Sequence, residues 1–343
     1  MPDSPAGDFA NRLLGWYDRS ARVLPWRIAP GSNMAPDPYR IWLAEVMLQQ
    51  TTVAAVAGYF ARFTGRWPTV ADLAAADDAD VMAAWAGLGY YARARNLLAC
   101  ARAVVRDHGG AFPDSEAGLR ALPGVGDYTA AAVAAIAFGR AAVVVDANIE
   151  RVIARHRLIG TPLPMAKREI RAALAPLVPG ARPGDFAQAL MDLGATICTP
   201  RSPACAICPV MGDCRARGRP DIERLPVKPP KKAKPHRYGL AHWIERDGAV
   251  WLVRRPDKGM LGGMRALPGG DWTDAPPSES GVVSVDHGFT HFDLTLTLVR
   301  RKAPPEAHDA AAEGRWWPIA ELDAAGLPTL YRKLTDKMLE RDA

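Results

Sequence analysis

The chain has no long apolar run. Its longest, Ala130 to Phe138, falls far short of the roughly 20 residues that a membrane-spanning helix needs. The opening residues, MPDSPAGDFA, are acidic and polar and lack the basic start and apolar stretch of a secretory signal. A cytoplasmic protein is therefore expected. Cysteine is scarce, with five residues in 343, and four of them fall between Cys198 and Cys214. A disulfide framework would instead spread them through a small secreted domain. Charge has no strong bias, with 43 Lys and Arg against 37 Asp and Glu. That balance permits a polyanionic partner without demanding one. There is no internal repeat and no low-complexity tract beyond alanine-rich segments. The length exceeds what one core usually holds, so two or three domains are expected.

What is present falls into three stretches. Residues 8 to about 215 read as helix after helix: IWLAEVMLQQTTVAAVAGYFARF, ARNLLACARAVVRDHG, TAAAVAAIAFG and FAQALMDLGATIC, several of them closing on glycine. DANIERVIARHRLIG opens on Asp146, a good N-cap. Composition then changes. RARGRPDIERLPVKPPKKAKPHR is rich in Pro, Lys and Arg without apolar period, and reads as an exposed linker. Its basic character suits either a phosphate backbone or a soluble tether. Beyond residue 237 the pattern turns to strands. YGLAHWIE and AVWLVRR flank RDG, a hairpin signal. HFDLTLTLVRR alternates with period two, setting Phe292, Leu294, Leu296 and Leu298 on one face. A helix closes the chain, so this last part is α+β.

Two features carry chemistry. The cysteines follow Cys198-x6-Cys205-x2-Cys208-x5-Cys214. Four thiolates so spaced can close one cage, and spacing alone leaves zinc and a four-iron cluster both open. Between the first two lies Arg201 on a short loop suited to touching phosphate. Cys100 stands apart as a small core residue. The second feature is LPGVG, residues 122 to 126. Gly124 and Gly126 allow a tight turn and close approach, and the helix that follows would aim its N–H groups at a phosphate. Val125 lies between them. Tight helix–helix turns that hold no ligand also use glycine, so the turn alone does not decide.

LPWR, WLAEVMLQQT, GLGYYARARN and MDLGATICTPRSPACAICPV, with LPGVG and the cysteine spacing, resemble the adenine DNA glycosylases, the MutY family of the helix–hairpin–helix, endonuclease III superfamily. The resemblance covers nearly the whole chain. It implies an all-α helix–hairpin–helix glycosylase domain over 1–217. Within it, a six-helix module covers about 30–138 and an iron–sulfur module is built from 1–29 and 139–217. A basic linker over 218–236 follows, then an α+β Nudix-like domain over 237–343. It also implies a [4Fe-4S] cluster on Cys198, Cys205, Cys208 and Cys214.

Adenine leaves a sugar readily only when a ring nitrogen is protonated, and the sugar left behind has cationic character. Such chemistry needs an acid above and an anion below, and a base taken out of the stack. Glu45 stands among Ile41, Trp42, Leu43, Val46, Met47 and Leu48. If it is buried there, its pKa rises from about 4.3 toward neutrality. A Glu whose face of the helix meets solvent would do nothing of the kind. The resemblance makes Glu45 the catalytic acid, Asp146 the carboxylate that steadies the sugar cation, and Tyr128 its assistant. In relatives that also cut the strand a lysine holds the position of Tyr128 and forms a Schiff base with the sugar. Tyrosine cannot, so base removal without strand scission is expected.

The same resemblance puts Arg22, Leu24, Trp26 and Gln188 around the adenine. It puts Leu48, Gln50, Thr51 and Tyr90 at the duplex near the opposite base, with Gly124, Val125, Gly126 and Arg201 on the backbone. Phe289-Thr290-His291 stands where the family has Phe-Ser-His for reading 8-oxoguanine. Asp146-Ala147-Asn148 replaces the family's Asp-Gly-Asn, which Ala147 satisfies if its φ is negative. The stretch IAPGSNMAPD is longer than in relatives and is expected to form a surface loop. After Gly269-Gly270 the chain has DWTDAPPSESG, without the glutamate-bearing helix that a working Nudix hydrolase uses to bind magnesium. A monomer acting on duplex DNA is expected, removing adenine opposite 8-oxoguanine or guanine in base excision repair. The alternatives are a bifunctional glycosylase and lyase, a non-catalytic iron–sulfur DNA-binding protein, and a nucleotide hydrolase in the last domain.

Overall fold

The structure is a computed structural model that describes residues 5–230, 233–256, 259–302 and 314–342. Lys231 and Lys232 of the expected linker lie outside the described residues. The chain divides into two compact units, one of residues 1–75 and 99–230, the other of 76–98 and 231–343. No described helix is long and apolar enough to cross a membrane.

The first unit is helical. Its elements are α1 (Pro5–Ser20), α2 (Pro38–Leu48), α3 (Val53–Arg66), α4 (Val70–Ala75), most of α6 (Ala92–His108), α7 (Glu116–Arg120), α8 (Asp127–Phe138), α9 (Ala147–Arg157), α10 (Ala166–Leu174) and α11 (Pro183–Thr196). Side chains set several starts. Asp37 accepts from Tyr39 N at 2.9 Å with Pro38 in the first turn, and Asp146 accepts from Ile149 N at 2.7 Å. Alanines 130 to 135 of α8, with Val133 among them, are all buried, so this helix offers a smooth surface on which α2, α7 and α11 lie. Gly194 of α11 lets α9 approach: a Cβ there would stand 2.6 Å from the Asn148 Cβ. Close helix packing at these small residues brings the starts of α8 and α9 beside the end of α2.

The region read from composition as an exposed linker is partly anchored. Leu225 is buried, Val227 O accepts from Leu163 N at 2.8 Å, and Arg155 Nε reaches the carbonyls of Ile222 and Leu225. Basic, proline-rich sequence leaves carbonyls free of regular pairing, and a buried arginine gathers them.

The second unit holds α5 (Asp78–Trp85), the start of α6, and a six-stranded sheet: β1 (His236–Arg246), β2 (Ala249–Arg254), β3 (Arg265–Ala266), β4 (Val283–Gly288), β5 (Asp293–Arg301) and β6 (Gly314–Pro318), closed by α12 (Thr329–Asp342). The strand order is β3-β2-β1-β5-β4, with β6 also on β2. The RDG hairpin forms with Arg246 opposite Ala249, and both Asp247 and Gly248 take positive φ, the turn whose twist suits two strands. Phe292, Leu294, Leu296 and Leu298 are buried with Trp243, Leu252, Leu330, Leu334 and Met338. β1 pairs with β5 in parallel from His236 opposite Asp293, a pairing that alternation does not reveal. Residues 76–98, expected within the helical domain, group by contact with the sheet.

Candidate active site and cysteine cluster

A cavity of about 580 Å³ opens among the ends of α2, α8, α9 and α11. Its volume is in the range that holds a small molecule or an extruded nucleoside. Glu45, Tyr128, Asp146, Arg22, Leu24, Trp26, Gln188, Leu48, Gln50 and Thr51 all line it.

Glu45 is 5% exposed. The Tyr128 hydroxyl donates to its Oε2 at 2.5 Å. Burial pushes the Glu45 carboxyl up to about 7; the Tyr128 hydrogen bond opposes this, the Asp146 charge adds to it, and Arg27 opposes it. Near neutral pH the carboxyl is therefore partly protonated, while its Oε2 accepts from tyrosine. Burial likewise raises the Tyr128 phenol well above its ordinary value, so it stays neutral.

Asp146 caps α9 through Ile149 N and also accepts from Asn148 Nδ2 at 3.0 Å. Burial raises its pKa, and these donors hold the charged form against that. Ala147 is the first residue of α9 and takes no positive φ, so the departure from Asp-Gly-Asn leaves the cap intact. Asn148 is itself held. Arg151 Nη2 donates to Asn148 Oδ1 at 2.9 Å and to Gly194 O at 2.6 Å, while its Nε donates to Cys198 O at 2.8 Å. A continuous line of hydrogen bonds thus joins Asp146 to the first cysteine.

Two residues that sequence reading missed, Asp192 and Arg27, shape one wall. Asp192 is fully buried in α11. It accepts from Arg22 N at 3.0 Å and Arg22 Nε at 2.6 Å, and from Arg27 Nη1 at 2.7 Å. The pairing fixes the turn that carries Leu24 and Trp26, closed by Arg27 N on Leu24 O at 3.0 Å. The signal was available: Asp192 interrupts an apolar helix as Glu45 does. Gln49 is the third, donating to Thr129 Oγ1 at 3.1 Å and tying the end of α2 to α8. Next to it Gln50 takes φ 58°, a left-handed backbone that a non-glycine residue adopts at a cost of order 1 kcal/mol.

The LPGVG turn forms as its glycines require. Gly124 has φ 71°, Val125 is buried, and Gly126 caps α8 in an extended conformation without any side-chain acceptor. The first N–H groups of α8 are therefore left for an outside partner. Arg201 is exposed on the loop after Cys198.

Cys198, Cys205, Cys208 and Cys214 form no disulfide and line one small, mainly apolar cavity of about 30 Å³. Burial pushes the Cys208 thiol up to about 11, and the neighbouring cysteines push the same way. Thiols held so close and so poorly hydrated ionise readily only against positive charge. Among the described residues no three His, Cys, Asp or Glu side chains are grouped as ligands of one metal ion. The four thiols surround a common space. Arg155 braces the loop, donating to Thr199 O at 2.6 Å, to Pro200 O at 3.0 Å and to Cys198 Sγ at 3.4 Å.

In the second unit, Phe289, Thr290 and His291 form the tip between β4 and β5, with Thr290 and His291 exposed. The Tyr90 hydroxyl lies 3.2 Å from Thr290 Oγ1, and Tyr90, like Gln50, takes positive φ, 48°. Residues 267–282, between β3 and β4, contain no helix.

Residues 43–179 match the HhH-GPD superfamily of base excision DNA repair proteins. Residues 198–214 match the iron–sulfur binding domain of endonuclease III, and residues 240–337 match the NUDIX domain. The chain is 41% identical to the adenine DNA glycosylase of Homo sapiens, over 95% of this chain and 73% of that one. It is 28% identical to that of Buchnera aphidicola, over 96% and 97%. A solved thermostable thymine-DNA glycosylase superposes with a TM-score of 0.55 at 32% identity, covering 62% of this chain and 95% of that one.

Proposed function

Given that the chain belongs to the adenine DNA glycosylase family, a family of base excision repair enzymes, we propose that it removes adenine mispaired with 8-oxoguanine or guanine and leaves the strand uncut. The observation that carries this reading is one cavity lined by an acid poised near neutrality and a capped carboxylate, Glu45 and Asp146.

The steps follow from those groups. Glu45 gives its proton to a ring nitrogen of the extruded adenine. The bond from the sugar C1′ to the base breaks and its electron pair leaves with the base. Asp146 steadies the positive charge that develops on the sugar. Water adds to C1′ and gives a proton to the Glu45 carboxylate, which restores the acid. Tyr128 holds Glu45 and, lacking an amine, forms no imine with the sugar, so no elimination follows. Arg22, Leu24, Trp26 and Gln188 enclose the base. Gln50 and Tyr90 enter the duplex near its former partner, with Leu48 and Thr51 at the same junction. The first turn of α8 behind Gly124, Val125 and Gly126, together with Arg201, holds the backbone. Thr290 and His291, presented by Phe289, read the opposite base. The protein acts as a monomer on nucleoid DNA in the cytoplasm.

The protein binds an iron–sulfur cluster, and we take it to be of the four-iron, four-sulfur type on Cys198, Cys205, Cys208 and Cys214. When bound, it supplies the positive charge that keeps the thiols ionised and so ties their loop together. The deciding experiment incubates the protein with duplexes holding A opposite 8-oxoguanine, G or T. Strand breaks should follow only after alkali, fastest for 8-oxoguanine and absent for T. Breakage without alkali would overturn the single-reaction reading.

A further inference from the structure

The stretch 267–282 joins β3 to β4 without a helix, and its place in the fold gives it a use. Trp272 from this stretch stacks on Phe289, with ring centroids 5.4 Å apart and planes 28° apart. It meets Phe292 edge-on at 5.8 Å, and Phe289 and Phe292 lie 4.9 Å apart. His287 closes on Phe289 from the strand side at 4.7 Å.

Trp272 is itself fixed from three sides. The adjacent Thr273 exchanges two backbone hydrogen bonds with Tyr238, both 2.8 Å. The Arg255 guanidinium lies 5.4 Å from its ring and donates onward to the Tyr331 hydroxyl at 3.0 Å. Gly239 of β1 makes the room: a Cβ there would stand 2.5 Å from the indole Cδ1. The tip is short and pinned at its ends. Phe289 N donates to Phe292 O at 2.8 Å, and Lys234 Nζ donates to Phe289 O at 2.7 Å. With its ring clamped, Phe289 cannot rotate without unstacking, which steadies the start of the exposed pair that follows it.

We propose that Trp272 is a positioning residue for lesion recognition, buttressing Phe289 so that Thr290 and His291 are held ready to distinguish 8-oxoguanine from guanine. The inference rests on the reading of 289–291 given above. It gives the stretch between β3 and β4 a task in specificity. Trp272 itself need not touch DNA.

The test compares single-turnover adenine release by the full-length protein from A·8-oxoguanine and A·guanine duplexes. Trp272→Ala should lower the ratio of the two rates roughly three- to tenfold, the scale of one lost aromatic contact, with the A·guanine rate unchanged. Trp272→Phe should keep most of the ratio. Gly239→Ala, which displaces the indole without removing it, should lower the ratio as Trp272→Ala does and serves if that variant is unfolded. His291→Ala should lower it at least as far. If His291→Ala lowers the ratio while Trp272→Ala and Gly239→Ala keep it, the buttress is refuted and the tip's role stands. If His291→Ala and Thr290→Ala both keep it, the reading of the tip falls and the inference with it. Equal loss of both rates in Trp272→Ala and Gly239→Ala would mean a general structural role and would also overturn the proposal.

Discussion

The helical unit and the sheet unit use opposite ways of preparing a side chain. In the first, Glu45 is withdrawn from water, and the cost of charging it there makes it an acid near neutrality. In the second, Thr290 and His291 are left exposed, and the Phe289 before them stands on a packed aromatic layer. Chemistry on a bond needs a tuned proton, and tuning needs burial. The base reading proposed for the tip needs reach, and reach needs an exposed tip on a stiff support.

The largest expected effect lies in the helical unit. Glu45→Gln removes the proton donor and should slow adenine release by about 100- to 10,000-fold, while duplex affinity persists. Gel-shift titration beside single-turnover kinetics checks both. Loss of binding in parallel would mean that Glu45 serves structure.

Asp192→Asn comes next. It leaves Arg22 and Arg27 without their shared counter-charge in a buried place, at a cost of about 3 to 5 kcal/mol. Thermal melting should show the loss, and adenine release should fall with it because the wall bearing Leu24 and Trp26 loosens. An unchanged melting temperature would show that the two arginines find other partners.

A smaller effect has the opposite sign. The Glu45 carboxyl sits above its ordinary 4.5, at about 7. Its contribution to stability is whole below 4.5 and is lost as pH rises through 7. Glu45→Gln, which never charges, should therefore be more stable than the natural protein at pH 8, by up to about 3 kcal/mol, and no more stable at pH 4.5. Chemical denaturation at the two pH values checks this. Active-site strain that is absent from the sheet unit would thus be visible as stability.

The smallest effect belongs to Tyr128→Phe. Its hydroxyl donates to Glu45 and lowers the carboxyl pKa, so its removal should move the alkaline limb of the rate profile to higher pH. A downward shift would mean that the hydroxyl serves the neutral acid.

The two units also differed in how far their residues could be read in advance. The cysteine spacing, the Asp146 cap and the alternation of β5 are local patterns, and each appears where it was expected. The setting of Glu45 was open from the residues, since an apolar neighbourhood in sequence does not say which face of α2 is covered. The parallel pairing of β1 with β5 was invisible, because no short-range pattern encodes a partner so far along the chain. Nor could periodicity say that residues 76–98, plainly helical, group with the sheet. Asp192 and Trp272 share one reason for being overlooked. Each acts through a distant residue, Arg22 or Phe289, that its own stretch of sequence does not name, even where, as at Asp192, a charge in an apolar helix marks the position.

The most direct measurement is the pH dependence of single-turnover adenine release from an A·8-oxoguanine duplex. With Glu45 as the buried acid, the rate should fall about tenfold per pH unit above about 7, with a separate acid limb where Asp146 takes a proton. A rate that stays level to pH 9 would contradict a proton delivered from Glu45 as the step that frees the base.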